Sequence, residues 1–164
     1  MSSNREEQYI LIQTRSKESN ILLREEFRNH AGERDRGGLP SLIVYDPKTG
    51  KPNQFMYHKN GILHREDGPA HYQIKVENNV VFWEGWYQNG ELHREDGRPS
   101  DIYRDENTGI AFTLEHYFNG ERVTPSLSLW DGAYFVESEP VDDPTDIKRI
   151  KNIIQQYDMP PVYS

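Results

Sequence analysis

Two stretches of the chain share the run Leu-His-Arg-Glu-Asp-Gly, and this similarity decides how the rest of the sequence is interpreted. The first is Tyr57-His58-Lys59-Asn60-Gly61-Ile62-Leu63-His64-Arg65-Glu66-Asp67-Gly68, and the second is Tyr87-Gln88-Asn89-Gly90-Glu91-Leu92-His93-Arg94-Glu95-Asp96-Gly97. A third, partial copy begins with Tyr117-Phe118-Asn119-Gly120. Internal similarity at a regular period of about thirty residues is typical of a repeat protein.

Each copy holds two predicted chain reversals. The Asn-Gly pairs at 60–61, 89–90 and 119–120 favour tight type I′ turns, because both residue types tolerate positive φ. A longer turn at 46–50 separates the strand-like segments at 42–45 and 54–57 of the first copy. The sequence therefore predicts a mainly β fold, an antiparallel meander of three hairpin repeats of about thirty residues each.

The N-terminal end is predicted to cap this array, because a terminal repeat would otherwise expose an apolar face and unpaired strand edges. The segment Tyr9-Ile10-Leu11-Ile12 predicts a strand. Ser19 predicts the N-cap of a short helix that presents Leu22, Leu23 and Phe27.

The C-terminal end predicts a second cap. Asp131-Gly132 favours a hairpin, and Asp143 followed by Pro144 favours the start of a helix. The apolar face of that helix is formed by residues at helical spacing, which are Ile147, Ile150, Ile154 and Tyr157. The fold prediction thus includes a short helix near each end.

These patterns divide the chain into three parts of one compact domain. Residues 1–36 are the N-terminal strand-helix cap, residues 37–124 are the repeat region, and residues 125–164 hold a hairpin, an acidic segment and a helix.

The composition restricts the chemistry that the chain can perform. Its 164 residues include no cysteine, which excludes a disulfide framework, thiolate metal sites and a cysteine nucleophile. The hydrophobic fraction is only 34%, so the 3 Trp, 10 Tyr and 6 Phe must supply much of the core. No apolar run is long enough to span a membrane, and residues 1–7 do not resemble a secretory signal. We therefore expect a cytoplasmic protein without membrane contact.

The segment from Tyr57 to Ala70 contains the pattern Asn-Gly-x-Leu-His-Arg-Glu-Asp-Gly-Pro-Ala and resembles a MORN-variant β-repeat. Repeats of this form recur in uncharacterised proteins of large phages, giant viruses and some bacteria. The resemblance covers residues 37–124 and implies a structural unit without a known chemistry. It also implies a biological setting, the inhibition of a host defence or nucleic-acid-processing complex by a phage or viral protein.

The shared run places histidine beside carboxylates, which suits a general base or a metal pair. The same cluster occurs in two successive copies, whereas an active site is usually single. We therefore interpret it as a structural joint between repeats, in which the arginines pair with neighbouring carboxylates. The joint residues are His64, Arg65, Glu66, Asp67, His93, Arg94, Glu95 and Asp96. No catalytic residue, cofactor or metal ligand is assigned.

Aromatic residues between the two copies are candidates for partner binding. Trp83, Trp86 and Tyr87 lie close together in a predicted strand, where alternation sends side chains to both faces of the sheet. One set belongs to the core, and the other is either covered by a neighbouring strand or available as an anchor for a partner.

The charge is concentrated at the C-terminal end. The chain has a net charge of −8, and half of it comes from residues 125–164, where seven acidic residues face three basic ones. Such a segment would repel nucleic acid and attract a basic protein surface. The candidate contacts are Glu137, Glu139, Asp142 and Asp143; the alternative is a solvated connector with favourable charge at a helix N-terminus.

These observations predict a non-enzymatic protein-binding module that uses its repeat sheet and its acidic C-terminal segment. The expected partner is another protein with a basic surface, with no direct contact to nucleic acid. Two alternatives stay open: a structural or self-assembling, virion-type component, and a histidine-based metallo-hydrolase.

Overall fold

The computed structural model describes residues 9–95 and 97–159. Within them, eleven strands form one antiparallel sheet in which strands follow each other in chain order. These strands are β1 (Ile10–Arg15), β2 (Leu22–Arg28), β3 (Leu42–Tyr45), β4 (Pro52–Met56), β7 (His71–Ile74), β8 (Val81–Gly85), β11 (Asp101–Arg104), β12 (Ala111–Glu115), β15 (Leu127–Trp130), β16 (Ala133–Val136) and β17 (Glu139–Pro140). The predicted mainly β meander is confirmed.

Six further strands of two residues each form three small ladders beside the main sheet. Each ladder closes through an Asn-Gly turn, and the three asparagines adopt positive φ, as a type I′ turn requires. The pairs are β5 (His58–Lys59) with β6 (Ile62–Leu63), β9 (Tyr87–Gln88) with β10 (Glu91–Leu92), and β13 (Tyr117–Phe118) with β14 (Glu121–Arg122).

The longer hairpins of the main sheet share one geometry. The pairs β1–β2, β3–β4, β7–β8 and β11–β12 each contain a register shift next to the turn. In each turn, a residue with positive φ donates its backbone N–H to the carbonyl four residues earlier. These residues are Asn20, Gly50, Asn79 and Gly109.

The predicted N-terminal helix, with its N-cap at Ser19, is wrong, because Leu22, Leu23 and Phe27 lie in strand β2. The Ser19 hydroxyl accepts a hydrogen bond from the backbone of Ile21 inside the tight turn. Because β2 pairs with β1 on one side and β3 on the other, its backbone groups are satisfied as a strand.

A buried ion-pair cluster explains why the strand is preferred. Glu26 is 5% exposed and pairs with Arg24, Arg28 and Arg34. Alternation in a strand puts residues 24, 26 and 28 on the same face, whereas a helix would place residue 26 opposite the other two. The charge pattern therefore fits only the extended conformation.

The C-terminal helix is confirmed as α1 (Pro144–Gln155). The Asp143 carboxylate caps it by accepting hydrogen bonds from the backbone of Thr145 and Asp146. Ile150 and Ile154 point into the sheet and are almost completely buried.

The helix distinguishes the two faces of the sheet. Ile102 and Leu114 are direct neighbours in β11 and β12, and both are buried against Ile150 of α1. We call this side the helix face. The opposite side carries Asp101 and Tyr103, because successive side chains of a strand alternate, and we call it the open face. The helix contacts β12, β15 and β16 from the helix face, so no helix of the described residues covers the open face.

Candidate protein-binding face

A stack of arginine on an aromatic ring occurs in both predicted joints and once more near residue 36, before the first of them. The guanidinium carbons of Arg36, Arg65 and Arg94 lie 3.5, 4.1 and 3.7 Å from the ring centroids of Phe27, Tyr57 and Trp86 respectively. Each arginine also donates to the carbonyl of the proline that follows the joint. Stacking and a backbone hydrogen bond together hold each arginine flat on the sheet.

The joint histidines bind the backbone of the next ladder. The Nδ1 atom of His64 accepts from the N–H of Asn89 at 3.1 Å, and that of His93 accepts from Asn119 at the same distance. Before the first ladder, where no joint was predicted, the Asp35 carboxylate occupies the equivalent position and accepts from the N–H of Asn60. The histidine nitrogen lone pairs are therefore engaged in hydrogen bonds to the following ladder.

The acidic residues of the joints lie at the surface. Arg65 donates to Asp67 at 2.8 Å, while Glu66 and Glu95 lie 3.4 and 3.7 Å from the Nε2 atoms of their histidines. All three acidic side chains are largely exposed, so these polar contacts contribute little to stability. Asp96, which was assigned to the second joint, lies outside the described residues.

The three aromatic candidates are divided between the faces. Trp86 lies under Arg94 and donates its indole N–H to Glu84, whereas Trp83 and Tyr87 flank Gly85 on the open face. All three side chains are half-buried. Sequence comparison aligned Tyr87 with Tyr57, but the arginine stack shows that Trp86 is the structural equivalent of Tyr57.

An anionic cluster lies beside Trp83 on the open face. Asp101 is 6% exposed and accepts hydrogen bonds from the indole of Trp83 at 2.7 Å and the hydroxyl of Tyr103 at 3.2 Å. Glu115 is its direct neighbour in the adjacent strand and accepts from the hydroxyl of Tyr117. We call Trp83, Tyr87, Asp101, Tyr103, Glu115 and Tyr117 the anionic patch.

The patch keeps its negative charges close together at an energetic cost. Burial raises the pKa of Asp101 to about 6, and the charge of Glu115 adds to the effect, while the Trp83 hydrogen bond opposes it. Like charges directly opposite each other in a sheet are destabilising. Among the described residues, no Lys, Arg or His forms a salt bridge with Asp101.

The acidic C-terminal segment adjoins this patch through one arginine. Arg122 lies 3.9 Å from Glu115 and 2.9 Å from Glu137. Glu137 also accepts from the backbone of Ser126, and Asp143 caps α1, so these two candidates have roles in the fold. The side chains of Glu139 and Asp142 are exposed and have no hydrogen-bond or ion-pair partner in residues 9–95 and 97–159.

Sequence reasoning did not identify Asp101, Tyr103 and Glu115 as site residues. Their proximity to Trp83 depends on the register of β8, β11 and β12. The available signal was the Asp-x-Tyr alternation at 101–103 beside a predicted strand, which places an acid and an aromatic residue on the same face.

A cleft of about 910 Å³ lies at the first joint. Its lining includes Asp35, His58, His64, Arg65 and Glu66. Asp35, His64 and Arg65 are each bound to other groups of the chain, and the lining includes acidic and basic side chains that balance. The charged side chains of the cleft are therefore better balanced than those of the anionic patch.

The function of this chain is inferred from its structure, because comparison with known proteins identifies no family for it. Protein-family models, curated proteins and solved structures each gave no match to this chain. The described part of the chain contains no cluster of three or more His, Asp or Glu arranged to hold a metal ion. Its helix is too short and too polar to cross a membrane.

Replacing Gly85 by alanine should disturb the patch. A Cβ atom at this position would lie 2.6 Å from Cε2 of Tyr87 and 3.2 Å from Cζ2 of Trp83, so both rings must move. We expect Gly85→Ala to lower the free energy of unfolding by about 1–3 kcal/mol, measured by urea denaturation, and to change the near-UV circular dichroism.

Gly68→Ala is the matched control. There the new Cβ atom meets the guanidinium group of Arg65 and displaces it from its stack on Tyr57, a contact worth about 1 kcal/mol, while Trp83 and Tyr87 are left in place. A smaller loss of stability than in Gly85→Ala is therefore expected. An equal or larger loss in Gly68→Ala would contradict the role given to Gly85.

Proposed function

We propose that this chain is a non-enzymatic protein-binding module whose open face receives a basic surface of its partner at the anionic patch. One observation carries the proposal: Asp101 and Glu115 lie directly opposite each other, and no described cation pairs with Asp101. An external Lys or Arg side chain would relieve this repulsion.

The residues around the charges suit a protein interface. Trp and Tyr are the residue types most often found as energetic anchors in interfaces, and the patch holds one Trp and three Tyr. Their rings also favour a cation, because the π-face of an aromatic ring carries partial negative charge. A basic side chain in contact with Glu115 would therefore gain from both the carboxylates and the rings.

The acidic C-terminal segment supports the same choice of partner. Glu139 and Asp142 extend the negative potential beyond Glu137, which is linked to the patch through Arg122. Exposed charges of this kind act mainly on the rate of association and on its salt dependence. The patch would supply contact energy, and the segment would supply attraction at longer range.

The biological setting remains the one that the repeat resemblance implies, inhibition of a host factor such as a defence or nucleic-acid-processing complex. A nucleic-acid-binding protein would present the required basic surface. The identity of the captured partner decides this part of the proposal.

Affinity capture with matched variants tests the proposed surface. Wild-type protein, Glu115→Gln and Glu77→Gln are immobilised and exposed to the same cell extract. Glu77 is an exposed acid in the turn between β7 and β8, so its removal changes the net charge equally. We expect proteins retained by the wild type and by Glu77→Gln to bind Glu115→Gln about tenfold more weakly.

Mass identification of the retained proteins and titration at two salt concentrations complete the test. A weaker salt dependence of the Glu115→Gln complex is expected, since fewer charges meet across the interface. If Glu115→Gln and wild type retain the same proteins with the same affinity, the anionic patch is not the binding surface.

A further inference from the structure

Strand β1 is an open edge of the main sheet. Within residues 9–95 and 97–159 it pairs with β2 on one side only, and all six of its residues are exposed. Ile10, Leu11 and Ile12 are 52%, 46% and 43% exposed, so apolar side chains stand in solvent on both faces of this strand. An exposed apolar edge is a template for pairing with another strand.

The direction of the backbone groups along β1 follows from neighbouring hydrogen bonds. Phe27 donates its N–H to Ser41, on the side of β2 away from β1, and Leu11 is the residue opposite Phe27. Leu11 therefore belongs to a non-hydrogen-bonded pair with β2. By alternation, the backbone groups of Leu11 and Gln13 point outward, while those of Ile10, Ile12 and Thr14 point toward β2.

The opposite edge of the sheet is closed. It consists of β17, which has only two residues. Val141 donates to the carbonyl of Tyr134, so residues 139 and 141 point toward β16 and residue 140 points outward. That outward residue is Pro140, which carries no N–H. The sheet thus has one edge that can accept a strand and one that cannot.

We propose that β1 pairs with β1 of a second copy of this chain, antiparallel and across a two-fold axis. Outward-pointing residues must face outward-pointing residues, so the axis passes through a residue and not between two residues. We place Ile12 at the axis. The register centred on Ile12 uses β1 residues alone for its inner pairs: Leu11 faces Gln13 of the second copy, and Ile10 faces Thr14.

The chemistry of β1 favours its own copy as the occupant. Its single charged residue, Arg15, would face Tyr9 of the second copy in this register, so no like charges meet. The apolar Ile12 faces itself at the centre. Because the β17 edge is closed, association stops at a dimer and does not continue to a fibre. The proposal is independent of the anionic patch, which lies several strands away in the sheet.

Cysteine scanning tests this register directly, because the chain has no other cysteine. In the Ile12-centred register, the two Ile12→Cys residues form a non-hydrogen-bonded pair with Cα atoms about 4.5 Å apart, within disulfide range. Two copies of Leu11→Cys, or of Gln13→Cys, are offset by two residues and lie about 8 Å apart, beyond that range.

We expect Ile12→Cys to form a covalent dimer under mild oxidation. Leu11→Cys and Gln13→Cys should each give a yield of covalent dimer at least about tenfold lower. The covalent product is measured by non-reducing electrophoresis. Equal cross-linking in all three variants, or efficient cross-linking of Leu11→Cys instead of Ile12→Cys, overturns the proposed register.

Sedimentation across a concentration series tests the association itself. Wild-type protein is expected to form a dimer, and Gln13→Pro is expected to stay monomeric, because it removes an outward N–H that β2 does not use. Leu11→Lys provides a second blocking variant at a side chain that is already exposed. A wild-type monomer at every concentration, or a dimer that persists in both variants, overturns the proposal.

Discussion

Between pH 7 and pH 4 the protein is expected to lose about 3 kcal/mol of its free energy of unfolding, because one buried and one half-buried histidine must take up protons. Burial lowers the pKa of His58 to about 4, and the charge of Arg34 adds to the effect. Burial also lowers the pKa of His71 to about 4, with His58 as a second cause.

The sign follows from the difference between the folded and unfolded states. The unfolded pKa of histidine is about 6.5, so the folded state binds protons less readily than the unfolded state. The stabilisation by each neutral histidine is complete above that pH and is lost as the pH falls through about 4. Each contribution is limited to roughly 3 kcal/mol.

One of the two histidine contacts also requires a neutral ring. The Nδ1 atom of His58 lies 2.8 Å from the buried hydroxyl of Ser41, and the Nε2 atom of His71 lies 2.8 Å from the side-chain amide nitrogen of Gln54. Protonation would turn the His71 acceptor into a second donor facing a donor.

Asp101 acts in the opposite direction. Its pKa is raised to about 6 by burial, so the folded state carries a cost above that pH, and this cost is relieved as the pH falls toward 4. This gain in stability, also roughly 3 kcal/mol, offsets the loss that protonation of one of the two histidines causes. Net acid destabilisation therefore remains.

Urea denaturation at pH 7, 5.5 and 4 measures these effects. We expect His58→Gln to lose less stability on acidification than the wild type, and Asp101→Asn to lose more. His30→Gln is the control for the loss of a histidine, because His30 is exposed. Parallel stability curves for His58→Gln and the wild type would show that His58 does not control the acid response.

Local signals in the sequence were sufficient for the turns and the C-terminal helix. The Asn-Gly pairs specify positive φ at Asn60, Asn89 and Asn119, where the values are 49°, 51° and 50°. Asp143 and Pro144 likewise define the helix start through contacts within the first turn. Such turns and caps depend on residues that are close together in the chain, so the sequence predicts them directly.

The N-terminal hairpin shows where local signals were misread. Ser16 accepts from the backbone of Glu18 and Ser19, as Asp46 does from Lys48 and Thr49. The turn is therefore the same, with serine in place of aspartate and asparagine in place of glycine. Ser19 suits both an N-cap and this turn, and only the pairing of β2 on both sides decides between them.

The anionic patch depends on information that is not local. Trp83 of β8 lies opposite Tyr103 of β11, and Asp101 of β11 lies opposite Glu115 of β12. A shift of one residue in either register would send these side chains to opposite faces. The identity of the residues was visible in the sequence, but their convergence was not.

Replacing Arg104 by methionine is expected to cost about 3–5 kcal/mol, the largest effect of any single substitution considered for this fold. Arg104 is 5% exposed. Its Nε atom donates to the carbonyl of Tyr157, just beyond α1, and its Nη1 atom donates to the carbonyl of Val81 and to Glu84, at 3.1 and 3.4 Å. Methionine keeps the length of the side chain but leaves these three acceptors without their donor.

The control is Arg149→Met, which removes an arginine that is 72% exposed and 3.5 Å from Asp146, and which should cost less than about 1 kcal/mol. Urea denaturation measures both variants, and hydrogen exchange of the α1 amides reports whether the helix separates from the sheet first. A similar small loss for Arg104→Met and Arg149→Met would contradict the anchoring role.

The double variant Arg104→Met/Glu84→Gln separates two causes of the loss. The Glu84 carboxylate is only 12% exposed, and its other partner is the indole N–H of Trp86 at 3.3 Å. If the unpaired charge of Glu84 dominates, the double variant should recover about half of the stability that Arg104→Met loses. If the lost hydrogen bonds to Tyr157 and Val81 dominate, it should recover little, and the helix amides should exchange as fast as in the single variant. The first outcome assigns Arg104 to charge balance on the helix face, and the second assigns it to holding the end of α1 on the sheet.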